Sequence, residues 1–134
     1  MFHDDYLIGI SIDHKRREVR LAIQSEHGPG LIELSGVEMF LANEVREGNI
    51  ILSVEAVSGQ EIVDRIRAGQ EWGFAILLGK ETKGPFFEKI LERLSRKELT
   101  YFELLSSYGV NTFALCKEVR MQEASSKPES EATS

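Results

Sequence analysis

Four short segments in the first half of the chain carry an apolar residue at every second position. A period of two suits a half-buried strand and little else. From Tyr6 to Asp13, Ile8, Ile10 and Ile12 share one face, with Gly9, Ser11 and Asp13 on the other. From Glu18 to Gln24 the pattern repeats through Val19, Leu21 and Ile23, and from Leu31 to Val37 it sets Ile32 and Leu34 against Glu33 and Ser35. From Asn49 to Val57 it places Ile50, Leu52, Val54 and Ala56 inward and Ser53 and Glu55 outward. The polar link from Asp13 to Arg17 is short enough for a hairpin, and His27-Gly28-Pro29-Gly30 is dense in turn formers. The first half therefore reads as an antiparallel meander. Between Val37 and Val45 the apolar Met39, Phe40 and Leu41 are consecutive, and a short helix or an irregular edge fits equally.

The second half changes period. Ser58 opens a helix from Gly59 to Ala68, with Ile62, Val63 and Ile66 on one stripe and Gly69 as its stop. Phe74 to Leu78 is apolar throughout between Gly73 and Gly79, which predicts a short buried strand. Pro85 suits a first helical turn, and Phe86, Phe87, Ile90, Leu91 and Leu94 then recur at helical spacing as far as Lys97. Leu99 to Ser106 fits an extension of that helix or a strand; strand is the assignment made, closing a hairpin through Tyr108-Gly109 onto Phe113 to Met121. The expected fold is α+β: a mainly antiparallel sheet of six or seven strands, meander plus C-terminal hairpin, with helices near 59–68 and 85–97 packed on one face. Residues 1–121 form a single domain, and 122–134, poor in apolar residues, form a disordered acidic tail.

Composition narrows the function classes. The lone Cys116 makes no internal disulfide, which fits a reducing compartment, and no apolar run approaches the roughly 18 residues that span a bilayer. The opening residues lack the basic and apolar regions of a signal peptide, so a cytoplasmic location is expected, with no membrane contact. A net charge of −6 argues against a nucleic-acid partner, since the one basic run, Lys15-Arg16-Arg17, reads as a solvated turn.

No constellation amounts to an active site. Gly79-Lys80-Glu81-Thr82-Lys83-Gly84 has the glycine spacing of a phosphate loop, but Pro85 and Phe86 stand where Lys and Ser or Thr are required. His3 and His14 lie at opposite ends of the first strand, about 30 Å apart at about 3.3 Å per residue, too far to share an ion, and His27 sits in a turn. Cys116, on a strand with no neighbouring histidine, reads as a small hydrophobe, and Ser106 and Ser107 lack a nucleophile elbow. No catalytic residue, metal ligand or cofactor is assigned, and the balance leans against an enzyme. The Phe86/Phe87 stripe reads as core. Trp72, beside a break at Gly73, reads as a partly buried junction residue or as an anchor for a partner.

Three stretches carry a resemblance: the opening Phe2-His3-Asp4-Asp5-Tyr6-Leu7, the strand start Gly48-Asn49-Ile50-Ile51, and Ser106-Ser107-Tyr108-Gly109 with Cys116. Together they resemble small bacterial domains of unknown function, some of them similar to immunity proteins of polymorphic toxin systems. The resemblance implies a non-enzymatic domain that acts by occluding a protein partner. With an acidic surface that partner is expected to be basic, met through the outward Glu33 and Glu55 and through Trp72. The alternatives are a structural or assembly module that self-associates through an exposed strand as a homo-oligomer, and a small-molecule-binding domain or enzyme with dispersed groups.

Overall fold

A computed structural model describes residues 4–43, 49–107 and 111–122. Among them the strands are β1 (Tyr6–Asp13), β2 (Glu18–Ser25), β3 (Gly28–Ser35), β4 (Met39–Asn43), β5 (Asn49–Val57), β6 (Thr100–Ser106), β7 (Asn111–Cys116) and β8 (Glu118–Gln122). The helices, all between β5 and β6, are α1 (Gln60–Arg67), α2 (Trp72–Leu78) and α3 (Pro85–Ser95). The strands form one antiparallel sheet in the order β4-β7-β6-β5-β1-β2-β3-β8.

That linear order conceals a closure. Only Gly36, Val37 and Glu38 separate β3 from β4, and only Lys117 separates β7 from β8. β3 pairs with β8 through Leu34↔Val119, and β4 pairs with β7 through Phe40↔Ala114. Across the bend Lys117 N–H donates to the Ser35 carbonyl at 2.9 Å and Glu38 N–H to the Leu115 carbonyl at 2.8 Å, so one bent ladder crosses from one half of the sheet to the other. Gly36 permits the bend: its φ is +63°, and a Cβ there would lie 2.8 Å from the Lys117 side chain. At the other junction β1 and β5 share only Tyr6↔Ile50 and Leu7↔Asn49.

The sheet curls around a first core of Leu7, Val19, Leu21, Ile23, Ile32, Leu34, Ile51, Phe102, Leu104, Ala114 and Cys116. Strand alternation sends the intervening residues, Tyr101, Phe113 and Leu115, to the outer face, where Ile62, Val63, Phe74, Leu77, Leu78, Ile90, Leu91 and Leu94 of the helices meet them in a second core. Each fully buried large side chain contributes about 1.5–3 kcal/mol. A bidentate pair from Arg93 to Glu38, at 2.7 and 2.6 Å, ties α3 to the start of β4.

Several expectations need correction. The strands number eight and the helices three among the described residues, against six or seven and two. Phe74 to Leu78, predicted as a strand, belongs to helix α2, because an all-apolar run carries no period to distinguish the two. Its buried residues, Gly73, Phe74, Leu77 and Leu78, recur at helical spacing. Residues 39–43, left open between helix and edge, are a strand, as is 100–106. The predicted single arm from Phe113 to Met121 is two strands divided at Lys117. Gln122, assigned to the tail, is the last residue of β8 and pairs with Leu31. The rest of the expected tail, 123–134, lies outside the described residues, as do His3 and the turn residues Tyr108 and Gly109.

Two inward sets also shift. Irregularities at Ile8 and Leu52 put Leu7 and Ile51 in the core and leave Ile8 and Leu52 exposed, because an inserted residue reverses the parity of everything before it. Within the Phe86/Phe87 stripe Phe86 is exposed, while Phe87 meets Phe74 edge-on.

Candidate functional site

The densest chemistry lies on the outer face of β5 and β6, where the helices cover the sheet. Glu55 and Glu103 are direct cross-strand partners. Tyr101, two residues before Glu103, shares its face, and its hydroxyl donates to Glu103 Oε1 at 3.0 Å. From the last turn of α1, Arg65 reaches over this pair, with Nε donating to Glu71 Oε2 at 2.8 Å and Nη2 to Glu55 Oε1 at 3.3 Å. Glu71 immediately precedes α2, and its side chain is only 11% exposed.

Three carboxylates thus surround a single guanidinium. Burial raises the Glu103 carboxyl above the ordinary carboxylate range, and the charges of Glu71 and Glu55 push it further, outweighing the hydrogen bond from Tyr101 and the pull of Arg65. The Tyr101 hydroxyl is raised too, first by burial and then by Glu103, so it stays a donor.

Trp72 follows Glu71 and forms the rim. Its indole is 51% exposed, yet it stands edge-on against the buried Phe113 with ring centroids 5.5 Å apart. Gly73 makes this approach possible, since a Cβ there would lie 2.5 Å from both the Phe113 ring and the Tyr101 hydroxyl. The arrangement is a half-buried acidic cluster around one guanidinium, with a half-exposed indole held beside Glu71.

No family model, curated protein or solved structure matches the chain. The site therefore rests on its own geometry.

Of the three residues singled out in the sequence, the structure brings Glu55 and Trp72 together through Arg65 and Glu71. Glu55 does oppose the inward Val54, but its face is the helix-covered one, so it is part-buried and engaged by Arg65. Glu33 lies apart, on the outer face of β3, paired at 3.0 Å with Arg20 of β2. Arg65, Glu71, Tyr101 and Glu103 escaped the sequence reading. The Tyr-x-Glu spacing on a strand was the available signal, but nothing local announces that α1 and the start of α2 fold over it.

The remaining candidates are dispersed. His14 and His27 sit in turns, and among the described residues no three His, Cys, Asp or Glu side chains are placed to hold a metal ion. No helix among the described residues is long and apolar enough to cross a membrane. Gly84 precedes α3 with φ +90°, and Pro85 occupies its first turn.

Cys116 is fully buried in the first core, and burial pushes its thiol up to about 12. It should therefore resist alkylation by iodoacetamide at pH 8 in the folded protein and react as the chain unfolds in urea. Labelling of the native protein at the rate of a free thiol would contradict this.

Proposed function

We propose that the chain is a non-enzymatic protein-binding domain that occludes a basic partner, in the manner of an immunity-type inhibitor, using the face around Trp72. The observation that carries this reading is the half-exposed indole fixed against Phe113, directly after Glu71, whose partner Arg65 also holds Glu55. Exposed aromatic side chains held rigid by a buried neighbour lose little freedom on binding and dominate many interfaces. The carboxylate excess beside it, within a chain of net charge −6, attracts a basic surface and speeds encounter. A partner lysine or arginine set over the indole would meet Glu55, the most exposed of the local carboxylates bonded to Arg65.

The test is a parallel capture from the cell of origin with the native chain and with Trp72→Ala/Glu55→Lys. The double variant should fold but melt below the native protein, because Glu55 is bonded to Arg65 and the Trp72 indole packs on Phe113. A basic protein retained stoichiometrically by the native chain, released by salt and lost from the variant, is the expected result. Equal retention by both would refute this assignment of the face. Glu33→Lys, on β3 and paired with Arg20 rather than with Arg65, should leave capture unchanged.

A further inference from the structure

We propose that the chain holds a small-molecule site where the β1–β2 hairpin meets the bend between β3 and β4, and that this site takes an amphipathic acid, an apolar chain ending in a carboxylate. The inference is independent of the face around Trp72.

A cavity of about 540 Å³ opens at this corner, in the size range of ligand pockets. Ile12 and Val19 are cross-strand partners and form one wall. Val37, Met39 and Phe40 form the other. Val19 belongs to the first core and Val37 and Phe40 pack on it, so the apolar floor is built into the fold, whereas Ile12 is 60% exposed at the mouth. The Val37 N–H donates to the Arg17 carbonyl at 2.9 Å, which fixes the two walls relative to each other.

The polar groups around the cavity favour an anion. Asp13 and Glu18 touch its edge, but they are cross-strand partners on the other face of the hairpin from Ile12 and Val19, where they border a separate hollow with Arg16 and Arg20. There Asp13 accepts from the Arg16 N–H at 3.0 Å. The Glu38 carboxylate is taken by Arg93. The hydrogen bonds from Arg93 hold it below the ordinary carboxylate range against the effect of burial, and Lys117 and Arg17 add to the pull, so three cations attend this one acid. The Arg17 and His14 side chains, by contrast, line the cavity with no hydrogen bond or ion pair of their own. Arg17 also holds φ +55°, a left-handed conformation that costs a non-glycine residue and recurs at ligand clamps. It is the last residue of the chain's one basic run, and its guanidinium would meet a carboxylate with two parallel hydrogen bonds while the ligand's chain lies on Val37 and Phe40.

Octanoate, octanol and octylamine are the probes, titrated into the isotope-labelled full chain and followed by heteronuclear NMR. Octanoate should bind saturably with a Kd of roughly 0.1–1 mM, shifting the amide signals of Arg17, Val37 and Phe40 and sparing those of Trp72 and Glu88. Octanol should bind more weakly at the same signals, and octylamine should not bind there. Arg17→Gly keeps the backbone bond from Val37 and suits the positive φ, so it should leave the melting curve and octanol binding nearly unchanged while weakening octanoate about ten-fold. Arg17→Lys should recover part of that loss, and Ile12→Asp, at an exposed position, should weaken both probes. No localised shift by about 10 mM octanoate, equal binding of octylamine, or an Arg17→Gly variant that binds octanoate as the native chain does would each overturn the proposal.

Discussion

Replacing Phe113 by alanine is expected to cost about 3–5 kcal/mol, in the range for removing a fully enclosed aromatic ring from a core. Phe113 has no exposed surface, and it packs among the second-core residues between the sheet and the helices. Its ring also meets the Trp72 indole and limits how close α2 can lie. The variant should therefore lose stability in urea unfolding and let the indole move, with a red-shifted, more easily quenched Trp72 fluorescence in the folded state. A loss below about 1 kcal/mol would mean that the ring is not enclosed as described.

Arg65→Gln should have the second largest effect, about 1–3 kcal/mol at neutral pH, because it leaves Glu55, Glu71 and Glu103 facing one another without a cation. The deficit should depend on pH. A carboxyl whose folded-state pKa is raised, as for Glu103, binds its proton more readily in the folded chain. Its contribution is most favourable below the unfolded value near about 4.3 and declines as pH rises to the folded value. Arg65 holds Glu103 down, so its removal raises that carboxyl further and widens the window. The gap between native and variant should thus narrow from pH 7 towards pH 4. Glu38, held low by Arg93, loses its contribution as pH falls, but it does so equally in both proteins and cancels from the difference. Urea midpoints at the two pH values measure this, and a deficit independent of pH would place the carboxylates apart.

The sheet was largely legible in the sequence because period-two alternation reports burial on one face directly, as Val19, Leu21 and Ile23 illustrate. Alternation cannot report a bulge, so Ile8 and Leu52 were placed inward although Leu7 and Ile51 occupy the core. Neither could it separate helix from strand at Phe74 to Leu78, where every residue is apolar. For the site, sequence pointed to Glu55 by strand parity and to Trp72 by its indole beside a break. Their connection runs through Arg65 and Glu71, on elements whose packing over β5 and β6 is a tertiary fact. Glu33 looked equivalent to Glu55 by parity, but it lies on β3, where Arg20 of the neighbouring strand pairs with it.

The bent ladder between β3–β4 and β7–β8 also governs the timing of folding. Leu31 finds its partner in Gln122, and Ser35 in Glu118, so one edge of β3 stays open until residues more than eighty positions later have been made. β1, β2 and β3 can associate early as local hairpins, whereas closure of the first core must wait for residues near the far end of the described chain. Pairings so distant in sequence impose a large loop-closure entropy before they return any contact, which slows the final step. Until β8 follows, the hydrophobic row of β3 lacks the cover that Val119 and Met121 supply in the folded sheet.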